Sequence, residues 1–222
     1  LVAVPPEIPA VQAAMLKVNP ITAWRMLHDF VPLARGDWFI QNAANSAAGR
    51  AAIQIGRELG LHSVNIVRRA EVADELRRDG ADLVIVDHEK LRDEVKERMA
   101  GAPLRLGLNA VGGESALRLA NCLAPEATMV TYGAMSLQPL RIPNGLLIFK
   151  NLIFRGFWVN KWYDAATVEE RAATFAPLFE MAKRGLLQMQ VEAVYSLGEL
   201  RAAVAHAAQP KRSGKIVFHF DA

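Results

Sequence analysis

The stretch WFIQNAANSAAGRAAIQIG, Trp38 to Gly56, decides the fold of this chain. A short apolar run is followed by a polar loop of small residues and then by apolar residues at helical spacing, at Ala48, Ala52 and Ile55. This order predicts a strand, a tight turn and a helix whose N-terminus faces the turn. The free N–H groups and the positive dipole end of such a helix favour a phosphate, so the stretch predicts a nucleotide-binding turn.

The predicted turn lacks the usual glycine pattern GxGxxG. Asn42, Ala44 and Asn45 occupy positions where glycines would be expected, and only Gly49 takes a late packing position. The small side chains still allow the backbone to approach a ligand closely. An ordinary strand-to-helix turn of an α/β protein remains the alternative interpretation of this stretch.

Strand-like and helix-like segments alternate from Trp38 to Trp158. Such alternation predicts an α/β fold of the Rossmann type, a doubly wound parallel sheet of six strands with helices on both faces. The predicted strands are Trp38–Gln41, Ser63–Val67, Leu83–Val86, Leu104–Asn109, Thr128–Thr131 and Leu152–Trp158. The helical patterns between them include Glu71–Asp79, Glu89–Met99 and Glu114–Leu123.

The pattern changes after Trp162. A helix is predicted at about Val168–Arg184, where Gly185 ends it. The β-like segment QVEAVY, a helix near Leu197–Ala208 and the strand KIVFHF follow. This C-terminal segment predicts strands that belong to a second sheet, which the chain does not fully contain.

Composition excludes several classes of protein. The 222 residues are 52% hydrophobic with a net charge of +3, which indicates a globular protein, and the basic residues form no stripe with aromatics that would indicate a nucleic-acid partner. No run approaches the roughly 20 apolar residues of a membrane span. Cys122 is the one cysteine and is expected to be a small buried residue. The five histidines show no metal-ligand spacing, and no catalytic acid or nucleophile is assigned.

Arg68 and Arg69 follow the second predicted strand, where an NAD-binding fold carries an acid that holds the ribose hydroxyls. A carboxylate would repel a 2′-phosphate, whereas guanidinium groups bind one with charge-assisted hydrogen bonds. The pair therefore predicts NADPH rather than NADH. A solvated arginine pair in a loop is the alternative. Glu71 is a rival ribose-binding acid, although it also fits the first turn of the next helix.

Three further segments end predicted strands at the carboxyl edge of the sheet, where ligands of open α/β sheets bind. MVTYGAM (129–135) places a tyrosine and a glycine there, and NAVGG (109–113) permits close backbone approach. The aromatic residues of RGFWVNKW (155–162) could form a wall for a nicotinamide or an acyl chain. Aromatics in a late strand are equally typical of a core or of a dimer contact, and Tyr132 could be an ordinary core residue.

Taken together, VNPITAWRML, DWFIQNAANSAAGRAAIQIG, NIVRR, LNAVGG, MVTYGAM, LLIFKNLIFRGFW and the closing GKI resemble the medium-chain dehydrogenase/reductase superfamily. Within it, the loop QNAANSAAG is similar to the zinc-free, mitochondrial-type trans-2-enoyl-CoA reductases. The resemblance implies a connection from the catalytic domain at 1–20, a Rossmann domain at 21–162, and a segment at 163–222 that completes a GroES-like catalytic domain. Because Leu1 is not a methionine, we expect a fragment that lacks most of that domain.

The resemblance also implies which residues bind NADPH. They are drawn from the start of the chain, the turn, the end of the second strand, the fifth and sixth strand ends, and the last strand. They are Asn19, Asn45, Ser46, Ala47, Ala48, Arg68, Arg69, Ala70, Tyr132, Gly133, Ala134, Met135, Phe157, Trp158, Val159, Asn160 and Lys215. Ala70 stands where the family often has a third basic residue, which weakens the 2′-phosphate assignment.

The implied reaction is hydride transfer from NADPH to the β-carbon of an enoyl thioester, followed by protonation at the α-carbon. The family's proton-donor tyrosine belongs to the N-terminal domain, so no catalytic residue is expected in this chain, and the chain alone is expected to be inactive. The resemblance further implies a homodimer, and a location in a bacterial cytoplasm or the mitochondrial matrix. A quinone oxidoreductase of the same superfamily and a nucleotide-binding module without turnover remain alternatives.

Overall fold

The computed structural model describes residues 2–209 and 212–220. The expected segment limits at Leu1 and Ala222 lie outside these residues. In the first part, the elements are α1 (Ala10–Leu16), α2 (Asn19–His28), β1 (Trp38–Gln41), α3 (Ala47–Leu59), β2 (His62–Val67), α4 (Ala73–Asp79), β3 (Leu83–Val86), α5 (Leu91–Arg98), β4 (Leu104–Asn109) and α6 (Gly113–Cys122). They continue with β5 (Thr128–Thr131), α7 (Asn144–Ile148), β6 (Ile153–Gly156), α8 (Val159–Ala165), α9 (Val168–Lys183), β7 (Val191–Ser196), α10 (Leu200–Ala208) and β8 (Lys215–His219).

The first six strands form one parallel sheet in the order β3-β2-β1-β4-β5-β6. From β1 the sheet continues through β2 to β3 on one side and through β4 and β5 to β6 on the other, so the order reverses between β1 and β4. This is the strand order of a doubly wound dinucleotide-binding fold. The predicted six-stranded Rossmann sheet is therefore confirmed. The carboxyl ends of β1 and β4, where the order reverses, form the crevice in which such sheets bind ligands.

Successive residues of the central strands enter different cores because side chains alternate across a sheet. Phe39 of β1 belongs to a buried cluster with Ile55 of α3 and Leu178 of α9. The adjacent Ile40 belongs to a second cluster with Leu119 of α6. Helices thus cover both faces, so nearly every residue of β1, β2, β4 and β5 is buried.

Several predicted elements differ from the structure at their ends, the sixth strand and the helix at Glu71–Asp79 among them. The sixth strand was expected at Leu152–Trp158, but β6 ends at Gly156. The N–H of Phe157 still donates to the carbonyl of Thr131 at 3.0 Å, after which the chain turns into α8 at Val159. The helix expected at Glu71–Asp79 begins with a 3₁₀ turn, Ala70–Val72, and becomes α-helical only from Ala73.

A separate two-stranded sheet follows α9, as the pattern after Trp162 predicts. Strands β7 and β8 pair in parallel, and α10 connects them and packs against both. Gly214 lies so close to β7 that a Cβ would meet the amide nitrogen of Glu192 at 2.4 Å. None of the helices within residues 2–209 and 212–220 is long and apolar enough to cross a bilayer.

Candidate functional site

The turn between β1 and α3 presents a helix N-terminus at which two N–H groups have no described protein acceptor. The Ser46 hydroxyl caps α3 by accepting the N–H of Gly49 at 3.1 Å. The N–H groups of Ala47 and Ala48 donate to no described protein group. A Cβ at Gly49 would lie 2.6 Å from the carbonyl oxygen of Ala44, so only glycine fits there. The turn therefore leaves two donors available at the positive end of a helix.

One of the asparagines that replace glycines in this turn, Asn42, has a structural role. Asn42 Nδ2 donates to Asn109 Oδ1 at 2.9 Å, and Asn42 Oδ1 accepts the N–H of Ala110 at 2.8 Å. Asn109 Oδ1 also accepts the N–H of Gly112 at 3.1 Å. Both side chains are buried, so these bonds fasten the carboxyl end of β1 to that of β4. The bend that glycine provides elsewhere is taken here by Ala43, whose φ is +48°.

A cavity of about 660 Å³ lies along this edge of the sheet. Its wall is contributed by the β1–α3 turn, the ends of β2 and β3, α6, the loop after β5, and the segments before β7 and before β8. The lining residues include Asn45, Ser46, Ala47, Arg50, Arg68, Arg69, Asp87, Arg118, Met135, Gln188, Met189, Gln190, Arg212, Gly214 and Lys215.

Two of the lining arginines are neutralised by carboxylates. Arg50 is buried, and its guanidinium lies 3.0 Å from Glu75 and 2.6 Å from Asp79, both on α4. Arg118 binds Asp87 through two nitrogens, at 2.6 and 3.0 Å, and hydrogen bonding to Asp87 raises the pKa of the guanidinium further. These fork-like pairs hold the side chains in place and cancel their charge.

Arg68, Arg69 and Lys215 line the same cavity and have no ion-pair partner among the residues that the structure describes. Arg68 is exposed and Arg69 is half-buried at the end of β2. Lys215 reaches the cavity from the first residue of β8. An anion in this cavity would therefore meet several uncompensated positive charges and the free N–H groups of the turn.

Tyr132 carries a buried hydroxyl without a hydrogen-bond partner. Its Oη is inaccessible to solvent and makes no bond of normal geometry with any described group. Burial raises the pKa of Tyr132 to about 12, and the neighbouring Ser46 hydroxyl acts weakly in the opposite direction. An unsatisfied buried polar atom costs about 1–3 kcal/mol.

Comparison with known proteins assigns the family. The sequence model of the family described as zinc-binding dehydrogenase matches residues 47–174, more than half of the chain. The chain belongs to this family. Its superfamily is that of the medium-chain dehydrogenases/reductases, as the sequence motifs predict. Within the described residues, no group of three or more His, Cys, Asp or Glu side chains could hold a metal.

The relatives place this superfamily member in the enoyl reductase branch. It is 40% identical over 220 residues to the human mitochondrial enoyl-[acyl-carrier-protein] reductase, a match that covers 97% of the chain and 59% of the relative. The Dictyostelium discoideum enzyme of the same name is 34% identical, with 96% and 62% covered. The chain thus spans about three fifths of the length of these relatives.

Solved structures of two activities share the fold. The Etr1p complex with NADP and crotonyl-CoA is 33% identical with a TM-score of 0.84, covering 94% of this chain and 61% of that one. The Candida tropicalis Etr1p/Etr2p heterodimer, a mitochondrial 2-enoyl thioester reductase, is 32% identical with a TM-score of 0.86 and the same coverage. A Bacillus thuringiensis protein described as a putative NADPH:quinone reductase is 26% identical with a TM-score of 0.90, covering 99% and 67%.

The predicted binding residues of this superfamily member fall into two groups. Those that line the cavity are Asn45, Ser46, Ala47, Arg68, Arg69, Met135 and Lys215. Those that lie outside its lining are Asn19, Ala48, Ala70, Tyr132, Gly133, Ala134, Phe157, Trp158, Val159 and Asn160. In the second group, Tyr132 and Phe157 pack against the core that α3 and α9 share, whereas Trp158 is 67% exposed.

Several lining residues were missed from the sequence. Arg50 lies on the helix that follows the turn, and a charged residue among Ala48, Ala51 and Ala52 was a signal that it has a partner. For Arg118 on α6, the sequence contains no comparable indication that the residue has a partner. Gln188 and Arg212 reach the cavity only because the C-terminal segment folds back onto α3. No local pattern in the sequence indicates that the C-terminal segment folds back onto α3.

Proposed function

We propose that this chain is the cofactor-binding part of an NADPH-dependent enoyl-thioester reductase. The observation that carries the proposal is the pair Arg68 and Arg69, which has no ion-pair partner among the described residues and ends β2 beside the cavity where NAD-binding folds place an acid. A dinucleotide with a 2′-phosphate supplies the anion that these guanidinium groups lack. The relatives' names and the NADP complex support the same cofactor.

The chain's own residues would bind and orient the cofactor. The N–H groups of Ala47 and Ala48 would donate to the pyrophosphate, and Arg68 and Arg69 would hold the 2′-phosphate. The buried Tyr132 hydroxyl and Met135 lie toward the carboxyl ends of β4 and β5, where the nicotinamide end would extend. Bound NADPH supplies the hydride, and the residues around it supply position and electrostatics.

The proposed substrate is a trans-2-enoyl thioester of coenzyme A or acyl carrier protein, reduced at its 2,3 double bond in fatty acid synthesis. The support is the name shared by the first relatives and the crotonyl-CoA complex. We assign no catalytic residue to this chain. The proton donor is expected in the part of the relatives that these 222 residues do not span.

A quinone oxidoreductase is the second candidate. The observation in its favour is the TM-score of 0.90 with the Bacillus thuringiensis protein. The shared fold and turn would bind the same cofactor in both cases, so the two candidates differ in the electron acceptor only.

The proposal includes a homodimer and a location in the mitochondrial matrix or a bacterial cytoplasm. The mitochondrial relatives support the first location, and the exposed edge of β6 supports self-association.

NADPH oxidation with crotonyl-CoA and, separately, with a quinone tests the function. We expect the 222-residue chain to bind NADPH and to reduce neither acceptor measurably, because orientation by the rest of the substrate cleft is worth several kcal/mol or more of the barrier. A longer protein that carries the relatives' N-terminal portion should reduce crotonyl-CoA. Reduction of the quinone alone would favour the second candidate, and rapid reduction by the 222-residue chain would show that it contains the proton donor.

A further inference from the structure

The cavity contains one more unpaired cation, among the described residues, than the sequence predicts. With Arg50 and Arg118 neutralised, the lining cations without an ion-pair partner among the described residues are Arg68, Arg69, Lys215 and Arg212. Arg212 comes from the loop before β8, far in sequence from β2. It stands in a protein that has Ala70 at the position expected to carry a third basic residue.

The Arg212 guanidinium is only partly satisfied. Its Nη1 donates to the carbonyl of Gly214 at 3.3 Å, while its Nε is buried and has no described acceptor. A guanidinium group has only N–H donors and no acceptor, so each of its N–H groups needs an acceptor. A buried, charged donor without an acceptor is costly. Arg212 also lines the cavity in which an anion would bind.

Two glutamines hold the segment to which the Arg212 loop is attached. Gln54 of α3 accepts the N–H of Gln188 at 2.9 Å and donates to its carbonyl at 3.2 Å. Gln12 of α1 binds Met189 in the same double manner, at 2.8 and 3.0 Å. The next residue, Gln190, accepts the N–H of Lys215 at 2.8 Å. Helices α1 and α3 therefore hold the segment to which the loop that carries Arg212 is attached.

The anchoring also ties the C-terminal segment to the two helices next to β2 in the chain, and Arg212 lines the same cavity as Arg68 and Arg69. Gln54 donates to Asp79 at 3.2 Å as well as to Gln188, so the C-terminal segment docks where α3 and α4 meet. These two helices flank β2 in the chain, and Arg68 and Arg69 end that strand. The opposite wall of the cavity is formed by α6, whose Arg118 is already paired.

We propose that Arg212 is a specificity-determining residue that binds the 2′-phosphate of the dinucleotide together with Arg68 and Arg69. The inference rests on the proposed cofactor and assigns the third positive charge, absent at Ala70, to the C-terminal segment. Guanidinium groups suit this task because their planar fork binds two phosphate oxygens at once.

Titration of the protein with NADPH and with NADH tests the proposal. Arg212→Ala should weaken NADPH binding about tenfold, the loss typical of one hydrogen bond to a charged group, and leave NADH within about twofold. Arg212→Lys should recover part of the NADPH affinity because the charge is kept and the fork is lost. Arg201→Ala, an exposed arginine on α10, is the control for the same change in net charge.

Equal weakening of both dinucleotides, or no weakening of either, would overturn the role of Arg212. Melting curves and circular dichroism show whether each variant is folded, and 2′-phospho-ADP-ribose against ADP-ribose repeats the comparison without the nicotinamide. The proposed cofactor fails separately, if the unmodified protein binds NADH as tightly as NADPH. If it prefers NADPH and Arg68→Ala removes the preference while Arg212→Ala does not, only this inference fails.

Discussion

At the scale of single residues, the distribution of charge partners decides what the cavity can bind. Arg50 and Arg118 are held by carboxylates and act as structural ties between elements. Arg68 and Arg69 lack such ties, and a side chain that is charged and unpaired beside a cavity is available to a ligand. One cavity thus contains both paired and unpaired arginines. The positive charge of a lining residue is therefore not sufficient to assign it a role in ligand binding.

Arg68→Ala should weaken NADPH binding by about 1.5–3 kcal/mol, or roughly 10- to 100-fold, because a charge-assisted contact to the 2′-phosphate is lost. NADH binding should barely change, since NADH lacks that phosphate. Fluorescence titration with both dinucleotides measures the two losses. Arg78→Ala, an exposed arginine on α4, is the matched control. Equal losses for both dinucleotides would contradict a contact with the 2′-phosphate.

At the scale of elements, the unit of β1, turn and α3 explains how a phosphate site can form without the usual glycines. Asn42 replaces conformational freedom with hydrogen bonds to the end of β4, and Gly49 is retained only where helix α3 meets the backbone of Ala44. The N-cap by Ser46 orients the first turn of the helix. In this turn, a rigid network of hydrogen bonds holds the backbone in a shape that flexible glycines allow in glycine-rich turns.

Ala47→Val should weaken dinucleotide binding while the protein stays folded. The β-branched side chain would crowd the approach of the pyrophosphate, since Ala47 lines the cavity at the first residue of α3. Isothermal titration with NADPH reports the loss, and circular dichroism reports helix content. Ala202→Val, on the exposed face of α10, carries the same helix-propensity cost of roughly half a kcal/mol away from the cavity. Unchanged affinity in Ala47→Val would place the pyrophosphate elsewhere.

At the scale of the whole molecule, the sheet ends in an open edge beside apolar surface. Strand β6 pairs with β5 on one side and with no described strand on the other. Ile153 on this strand is 47% exposed, and Ile148 and Phe149 just before it are 68% and 85% exposed. An open edge of this kind favours pairing with another strand, and a second copy closes it by twofold symmetry.

We expect a homodimer by light scattering at micromolar concentration, and a monomer for Ile153→Lys, because an edge lysine opposes strand pairing. The fold should survive the substitution, since the side chain is already half exposed. Val168→Lys on α9, at a residue that is 65% exposed, is the control. A monomer from the unmodified protein, or a dimer that Ile153→Lys leaves intact, would contradict the expected interface.

The sequence by itself determined the alternation of strands and helices, the small-residue turn before α3, and the arginines after β2. These features are local, since periodicity, capping and loop composition act within a few residues. The predicted end of the sixth strand was wrong because the apolar run continues through Phe157 and Trp158 although the ladder stops at Gly156. Apolar content alone does not distinguish a strand from the turn into the next helix.

Only the tertiary structure decided which residues meet at the cavity. Gln54 and Gln188 are 134 positions apart, and Gln12 and Met189 are 177 apart, yet these pairs bring Arg212 and Lys215 to the Rossmann domain. The carboxylates that neutralise Arg50 and Arg118 likewise come from other elements of the fold. Contacts of this kind follow from how complete elements pack against one another, and no local pattern contains that information.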